Sequence, residues 1–388
     1  MTVMAASIYL NENFLAPQFL IKLQGQNLGN EVVKDVLQVS YKDDLENLDS
    51  FEFTLHDWDP LTGSTKYSSP FDESGNLRKI SGTDFDVPNF EPGAKVDLHM
   101  GYYGADTPPL MMSGKVASAS VSFPASGTPI LTVRVLNMLF DLQRTQENLT
   151  FEDKKPSEIA QEIANNLDIE LITEPGEEQA IPFTGMNNEY PILFLSRLAR
   201  KQAYDLFVDA SDEENPKLFF GLRKSAQEEL ELEWGKSLIQ FTPVLKTKEL
   251  KVKAVVRGWD PLQSGEGRNI EGEATWADLD ISMPDTKLLE QIEFASENAI
   301  EEITEQPVSS QQAAEELAKA VLRRIVQQVI TGSGSTIGTP KLRAGTRITL
   351  KGLGHRYSYQ YLVFDSTHKI DGSGYLTDFS ARMEVVSG

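Results

Sequence analysis

Four histidines are the side chains best suited to metal binding or acid–base chemistry, and their spacing argues against both. His56, His99, His355 and His368 form no HxxxH, HxH or HExxH pair, the patterns that bring two imidazoles to one metal ion. His99 and His368 lie within alternating, strand-like runs, and His355 lies beside a turn. We therefore predict packing or solvent-facing roles for the histidines and no metal site.

Acidic residues are more numerous, and a carboxylate pair could serve a glycosidase. The chain holds 58 acidic residues, so close pairs are expected by chance, and most of them fall in polar turns. A solvated surface is the stronger interpretation, and none of the spacings matches an EF-hand calcium loop. The clusters are Asp43-Asp44, Asp57 with Asp59, Glu177-Glu178, Asp212 to Glu214, Glu228 to Glu233, and Asp278 with Asp280.

Glycine-rich and tryptophan motifs offer no clearer chemistry. The run GSGSTIG (residues 332–338) follows a predicted helix instead of opening one and lacks the GxxxxGKS context of a phosphate loop. No GxSxG nucleophile elbow occurs. The sequence WDPL occurs twice, ending at Leu61 and at Leu262. Sugar stacking on the tryptophans is one interpretation, but the recurrence favours a structural corner. We predict no catalytic residue, no cofactor and no enzyme activity.

Composition limits the class of protein and its partners. A chain of 388 residues suits two to four domains. The formal charge of −22 opposes binding to phosphate backbones and anionic lipid, so we predict no nucleic-acid recognition and no membrane insertion. The chain has no cysteine and no signal-peptide pattern at its start, which fits folding in a reducing cytoplasm.

The elements that would position any site form a repeated β pattern. Residues 93–98 repeat the order of residues 345–350: glycine, a small or hydroxyl residue, a basic residue, a β-branched residue, any residue and leucine. Each copy is followed by two alternating runs around a glycine-containing turn, Ser-Gly-Thr-Pro in the first and Asp-Gly-Ser-Gly in the second. The repetition predicts an internal duplication of one antiparallel β-barrel.

Changes in periodicity divide the chain around the two barrels. Three helices are predicted from apolar spacing, over residues 156–171, 191–206 and 309–330, with Ser157 as the cap of the first and a serine cap on the third. The fold class predicted is β-rich α+β, with two similar antiparallel barrels. The predicted units are a first barrel over 1–149 with a long loop at 61–88, a small α/β domain over 150–235, a discontinuous second barrel over 236–262 and 341–388, and an insertion over 263–340 that contains the third helix and a Gly/Ser/Thr linker at 331–340.

Three segments carry a family resemblance in their sequence and order. The first is FEDKKPSEIAQEIANNLDIEL followed, after a spacer, by NNEYPILFLSRLARKQAYDLFVD; the second is RAGTRITLKGLG; the third is the hairpin with DGSGYLT. Together they resemble the late control D family of contractile phage tails. This baseplate hub family also supplies the hub portion of type VI secretion spikes and of extracellular contractile injection systems. The resemblance extends from about residue 16 to residue 385.

The resemblance implies a structural function. Hubs of this type form homotrimers whose duplicated barrels make a pseudo-six-fold ring, which adapts a hexameric inner tail tube to a trimeric spike. Since the sequence ends soon after Val385, the spike is expected to be a separate polypeptide, with other baseplate components as further partners. The protein would be made in the cytoplasm and become part of a phage tail or injection particle. Two alternatives stay open at this point: a tail-tip cell-wall hydrolase and, more weakly, a carbohydrate-binding adhesin.

Overall fold

The computed structural model is β-rich with few helices, which confirms the predicted β-rich α+β class. It describes residues 6–7, 16–45, 48–104, 107–137, 145–166, 169–175, 178, 180–202, 204–209, 217–221, 227–246, 251–259, 269–281, 290, 299–304, 308 and 310–386. Within these residues, no helix is both long enough and apolar enough to cross a membrane.

Most of the described chain is strand. The strands are β1 (Ala6–Ser7), β2 (Pro17–Leu23), β3 (Gln26–Asn27), β4 (Val36–Asp44), β5 (Ser50–His56), β6 (Lys95–Tyr102), β7 (Leu110–Ser122), β8 (Ile130–Asn137), β9 (Glu147–Lys154), β10 (Leu171–Glu174), β11 (Ile181–Glu189), β12 (Asp205–Asp209), β13 (Lys217–Gly221), β14 (Gln227–Glu233), β15 (Leu238–Leu245), β16 (Lys253–Trp259), β17 (Asn269–Thr275), β18 (Asp280–Ile281), β19 (Ile300–Ile303), β20 (Ile330–Ile337), β21 (Thr346–Lys351), β22 (Gln360–Asp371), β23 (Gly374–Met383) and β24 (Val385–Val386). The helices are α1 (Asn30–Val33), α2 (Pro156–Asn166), α3 (Pro191–Gln202) and α4 (Gln311–Val326).

One sheet runs through both halves of the described chain and contains 14 strands. Its main path is β1-β14-β21-β22-β4-β5-β8-β7-β6-β2-β3. At β22 the sheet branches, because β22 also pairs with β23, which continues through β20 to β15. The pairing of β22 with β4 therefore joins strands from the two ends of the chain.

Two groups of five strands in this sheet have the same pairing order. The first five-strand unit is β4-β5-β8-β7-β6, and the second five-strand unit is β15-β20-β23-β22-β21. In both units all four pairings are antiparallel. Because the strands also follow one another in the same chain order, each strand of the first unit has a counterpart in the second.

Irregularities in the ladders fall at corresponding positions. The register shifts between Val116 and Ser118 in β7, and between Val363 and Asp365 in β22. It shifts again between Val36 and Gln38 in β4, and between Leu238 and Gln240 in β15. A bulge adds one residue to one strand and changes its local twist. With the bulges matched, residues 118–122 of β7 correspond to residues 365–369 of β22.

The glycines that begin the repeated pattern have the same conformation. Gly93 has φ of +91° and Gly345 has φ of +87°, a left-handed region that side chains disfavour. The Gly93 N–H donates to the Val116 carbonyl at 2.7 Å, and the Gly345 N–H donates to the Val363 carbonyl at 2.7 Å. Each glycine therefore ties the start of its strand to the bulge of the following strand.

Residues between the two five-strand units form a smaller core. Helices α2 and α3 pack with β9 and β11 and with the three-stranded sheet β10-β13-β12 around Phe151, Phe194 and Phe220. Ser157 is not the cap of α2, because the helix begins at Pro156 and the Ser157 hydroxyl bonds Glu178. The Lys155 N–H instead donates to the Glu158 carboxylate at 2.9 Å, as at the start of a capping box.

Helix α4 covers the three-stranded sheet β17-β16-β19. The Ser310 hydroxyl accepts from the Ala313 N–H at 3.1 Å, so the predicted serine cap is present. Lys253–Trp259, expected in the second barrel, is the central strand of this smaller sheet. Its alternation predicted a strand correctly but did not reveal which sheet it joins.

The linker predicted at 331–340 is wrong. Residues 330–337 form β20, which lies between β15 and β23. A side chain at Gly332 would collide with the ring of Phe241, and one at Gly334 with the ring of Phe379. The glycines are therefore explained by aromatic rings that pack directly on the strand, instead of by flexibility.

Candidate assembly surface

The pairing of β22 with β4, here the internal junction, matches residues 365–371 with residues 38–44 in antiparallel register. Ile370 and Tyr375, at the end of the β22–β23 hairpin, are buried in the core of the first five-strand unit. Tyr102 adds a second link, since its hydroxyl donates to the Gly338 carbonyl at 2.8 Å and its ring lies 5.5 Å from that of Tyr375. The C-terminal hairpin therefore joins the two units.

An ion pair crosses the internal junction. The Arg343 guanidinium bonds the Asp43 carboxylate and donates to the Tyr41 hydroxyl at 2.5 Å. It also lies over the Tyr41 ring, 5.0 Å from the centroid, where the cation–π attraction adds to the ion pair. Because Asp43 and Tyr41 are buried, this arrangement gives the Asp43 carboxylate a cationic partner at a place where an unpaired charge would be costly.

His368 lies at the centre of the internal junction and is fully buried. Its Nε2 atom is 3.1 Å from the Leu342 carbonyl, which can only accept, so Nε2 carries the proton. Its Nδ1 atom then accepts from the Tyr375 hydroxyl at 2.9 Å. Burial, together with the nearby Arg343 charge, lowers the pKa of His368 to about 3, so the imidazole is neutral at pH 7.

A second buried carboxyl group lies near this cluster. Asp49 accepts from the Asp44 N–H at 3.2 Å and from the Asn137 side-chain amide at 3.4 Å. Burial, and then the negative charge of Asp43, raises the pKa of Asp49 well above its usual value. The pKa of His368 is therefore lowered and that of Asp49 raised, so the two groups change the stability of the fold in opposite directions as the pH falls.

Within the two five-strand units, two strand edges have no partner among the described residues. In β7, residues 118–122 pair with β8 on one side only. In β15, Leu238 forms an isolated bridge with Trp234, and from residue 239 onward the edge away from β20 is unpaired among the residues that the structure covers. These two edges, here the open edges, expose backbone groups that can pair with another strand.

The open edges lack the features that usually protect exposed strands. Residues 118–123 read SASVSF and β15 reads LIQFTPVL, so neither contains a charged residue. Natural edge strands are commonly blunted by lysine, proline or inward-pointing charge, and only Pro243 is present here. Ile239 and Val244 of β15 are exposed, as is Phe123 beyond the end of β7.

The loop at 61–88 makes hydrogen bonds to two buried aspartates, Asp57 and Asp59. One oxygen of Asp57 accepts the N–H groups of Lys66, Tyr67 and Ser68 at 3.0, 2.5 and 3.1 Å. Asp59 accepts the Leu61 N–H at 2.9 Å and bonds the Ser81 hydroxyl. The first WDPL element is therefore a structural corner, as predicted.

The second WDPL element is not the counterpart of the first, because its Trp259 ends β16 in the smaller sheet. Its residues 260–262 lie outside the described residues.

The structure disperses the other residues with potential chemistry. His99 is buried with Nδ1 2.8 Å from the Pro108 carbonyl, His56 is exposed beside Thr128, and His355 is exposed. Asp278 caps a short 3-10 helix at Thr275. Within the described residues no group of three or more His, Asp or Glu side chains is arranged to hold a metal ion. Glu177 and residues 212–214 lie outside that part of the chain.

Sequence reasoning missed the residues of the internal junction and of the open edges. Arg343 is 300 residues from Asp43 in the chain, and nothing in the local patterns around either residue indicates that they are in contact. The open edges did carry a signal, namely two alternating strands without charge, but an edge paired inside a sheet has the same appearance.

The fold is shared with phage tail proteins and with a type VI secretion component. The 43 kDa tail protein of prophage MuSo2 from Shewanella oneidensis superposes with a TM-score of 0.64 at 13% identity, over 94% of this chain and 98% of that one. A tail protein from Neisseria meningitidis gives 0.62 at 11% identity, over 95% and 97%. An E. coli component of the type VI secretion system gives 0.56 at 13% identity, over 94% and 76%.

The chain also matches a model of a protein family. The model of the Alg8 N-terminal domain matches residues 78–372, most of the chain, and the chain belongs to this family. A comparison of this chain with curated proteins found no match.

Proposed function

We propose that this chain is the structural baseplate hub of a contractile tail or contractile injection system, of the late control D type, and is not an enzyme. Three copies would form a ring that adapts a hexameric inner tube to a trimeric spike. The observation that carries the proposal is the pair of five-strand units with the same order, registers and bulges. The fold shared with tail proteins supports it.

The duplication explains how a three-fold assembly can meet a six-fold one. Two similar units in each of three chains present six similar faces around one axis. The faces would be only quasi-equivalent, because Lys95 corresponds in register to Arg347, and His99 to Lys351. A tube of identical subunits could dock on one side, while the three-fold differences would select the spike on the other.

In this proposal the first barrel at 1–149 and the α/β domain at 150–235 keep the boundaries predicted from the sequence. The second barrel, predicted at 236–262 with 341–388, instead consists of β15 and β20–β23, and the insertion predicted at 263–340 gains β16 and loses β20. The partners are the inner tube protein, a trimeric spike and other baseplate components. The protein would be made in the cytoplasm and end in an assembled particle.

Several acidic residues that a hydrolase might have used have structural partners. Asp43 pairs with Arg343, Asp57 and Asp59 hold the loop at 61–88, and Glu231 pairs with Lys351 at 2.6 Å. Their carboxylates therefore serve packing, which supports a structural role over a tail-tip hydrolase.

The test is the mass of the purified chain by light scattering, with electron-microscope class averages of the same sample. A mass of three chains and a ring of six similar lobes around a channel is the expected result. A stable dimer without a channel would contradict the proposal. A monomer would be measured again with the spike and tube proteins added.

A further inference from the structure

We infer that the open edges join neighbouring copies of this chain: residues 118–123 of β7 in one copy pair, antiparallel, with residues 241–246 of the next copy, in and just after β15. The inference rests on the proposed trimer and specifies how its ring closes. The predicted register places Ser120 opposite Val244 and Phe123 opposite Phe241.

The register comes from the internal junction. There, residues 365–371 of β22 pair with residues 38–44 of β4, with Thr367 opposite Lys42. The bulges make β7 the counterpart of β22, and β15 the counterpart of β4. The first unit thus uses β4 to bind β22 of the second, while β15 of the second unit and β7 of the first are left without the corresponding contact in the described chain.

The solvent exposure of corresponding residues agrees with this difference in strand pairing. Ile370, which corresponds to Phe123, is 7% exposed, whereas Phe123 is 69% exposed. In β4, Val39, Tyr41 and Asp43 are buried, while their counterparts in β15 are only half-buried. Both open edges are therefore more exposed than the paired edges to which they correspond, as expected if a partner covers them.

The side chains that would face inward between copies are suited to association. Side chains alternate between the two faces of a strand. On each open edge, the positions that correspond to buried positions of the internal junction hold apolar residues. Burying apolar surface drives most protein association. The apolar residues at the inward-facing positions are Ala119, Val121 and Phe123 on one edge, and Phe241, Pro243 and Leu245 on the other.

A second copy is the occupant that fits both edges at once. The two edges differ from each other, so their contact is head-to-tail, and repetition of a head-to-tail contact closes into a ring when the rotation allows. Three contacts between chains would then alternate with three internal junctions. The only charged residue in the two pairing segments is the cation Lys246, so the contact itself brings none of the acidic residues behind the net charge of −22 together.

Disulfide capture tests the register. The chain has no cysteine, so only introduced thiols can react. Ser120→Cys combined with Val244→Cys places two thiols directly opposite, where Cβ atoms are about 4.5–5.5 Å apart and small shifts permit a disulfide. Both residues are exposed, so the folded chain should tolerate the changes. We expect covalent dimers and trimers on a non-reducing gel after mild oxidation.

The matched control is Val121→Cys with Val244→Cys, which moves one thiol to the opposite face of its strand. It should form at least tenfold less covalent trimer. Single-cysteine variants should give no trimer. Equal crosslinking of the two double variants would overturn the register.

Light scattering of the same samples separates the two proposals. A mass of three chains without crosslinking of the Ser120→Cys, Val244→Cys variant would overturn the pairing and leave the trimeric hub standing. Crosslinked trimer from a chain that is otherwise monomeric would support the pairing, because oxidation captures transient contacts. Neither a trimeric mass nor a crosslink, at any concentration up to the solubility limit, would overturn the pairing.

Discussion

The second halves of β7 and β22 occupy corresponding positions in the two five-strand units, yet only one is covered. Residues 365–371 of β22 pair with β4 inside the same chain, and their inward positions include His368 and Ser366. Residues 118–122 of β7 have no partner on that side in the described chain, and their inward positions are apolar.

The difference shows how one architecture serves two kinds of contact. At the internal junction the covalent chain already holds the strands together, so a buried network of Arg343, Asp43 and Tyr41 can define a single arrangement without having to drive association. A contact between separate chains must overcome the loss of translational freedom. Apolar side chains such as Phe123 supply that driving force more readily.

Removing Arg343 should have the largest effect on the internal junction. Arg343→Ala leaves the buried Asp43 carboxylate without its cation, and breaking a buried pair from one side costs about 3–5 kcal/mol. We expect the free energy of unfolding, from urea titration of the full chain, to fall by that amount.

The control for this prediction is Lys34→Ala, which removes an exposed pair with Glu31 and should change the free energy of unfolding by less than about 0.5 kcal/mol. Similar losses in the two variants would mean that the Arg343 network contributes no more than a surface ion pair.

Truncation at the corresponding positions Ile370 and Phe123 tests the comparison directly. Ile370→Ala should lower the free energy of unfolding by about 2–5 kcal/mol, because the side chain is buried in the first core. Phe123→Ala should change it by no more than about 0.5 kcal/mol in the single chain. The variant should instead weaken association, seen by light scattering across a dilution series. A large loss of single-chain stability with Phe123→Ala would show that this side chain packs within its own chain.

Acid should weaken the internal junction through His368. The pKa of His368 in the folded chain is about 3 and its unfolded value is about 6.5. Between these values the unfolded chain binds more protons, so stability decreases as the pH falls from about 6.5 toward 3. The raised pKa of Asp49 acts in the opposite direction, since the folded chain takes up a proton first.

A comparison of variants isolates the histidine. Between pH 7 and 4.5, His368→Gln should remove about 2 kcal/mol of acid-induced loss in the free energy of unfolding, while Asp49→Asn should make the loss larger. The control His56→Gln changes an exposed histidine and should leave the slope against pH unaltered. An unchanged slope in His368→Gln would exclude His368 as the acid-sensitive group.

The smallest expected effect concerns what the two units share. Gly93→Ala and Gly345→Ala each place a side chain at positive φ, which costs about 1–2 kcal/mol. Because both glycines make the same hydrogen bond to a bulge, the two losses in unfolding free energy should agree within about 0.5 kcal/mol. A clear inequality would indicate that the shared geometry is not equally constrained in the two units. The paired control is Gly25→Ala, also at positive φ but in a hairpin turn outside both units.

Local patterns were enough to predict the class and many elements. Two-residue alternation predicted β21 and the β22–β23 hairpin, and four-residue apolar spacing predicted α2, α3 and α4, with ends within about five residues. The same patterns failed where side chains were small. The glycines of β20 suggested a linker because nothing local shows that the rings of Phe241 and Phe379 pack on them.

By itself, the sequence determined that the chain is β-rich, that a glycine-led strand with its hairpin occurs twice, and that the conventional catalytic and metal-binding spacings are missing, because each of these depends on neighbouring residues. The tertiary structure alone decided which strands are neighbours. It placed β22 against β4, moved β16 to a smaller sheet, brought Arg343 to Asp43, and left β7 and β15 uncovered within the described chain. Strand pairing is a long-range choice made by the packing of whole faces, and edges that look alike in sequence can have different fates.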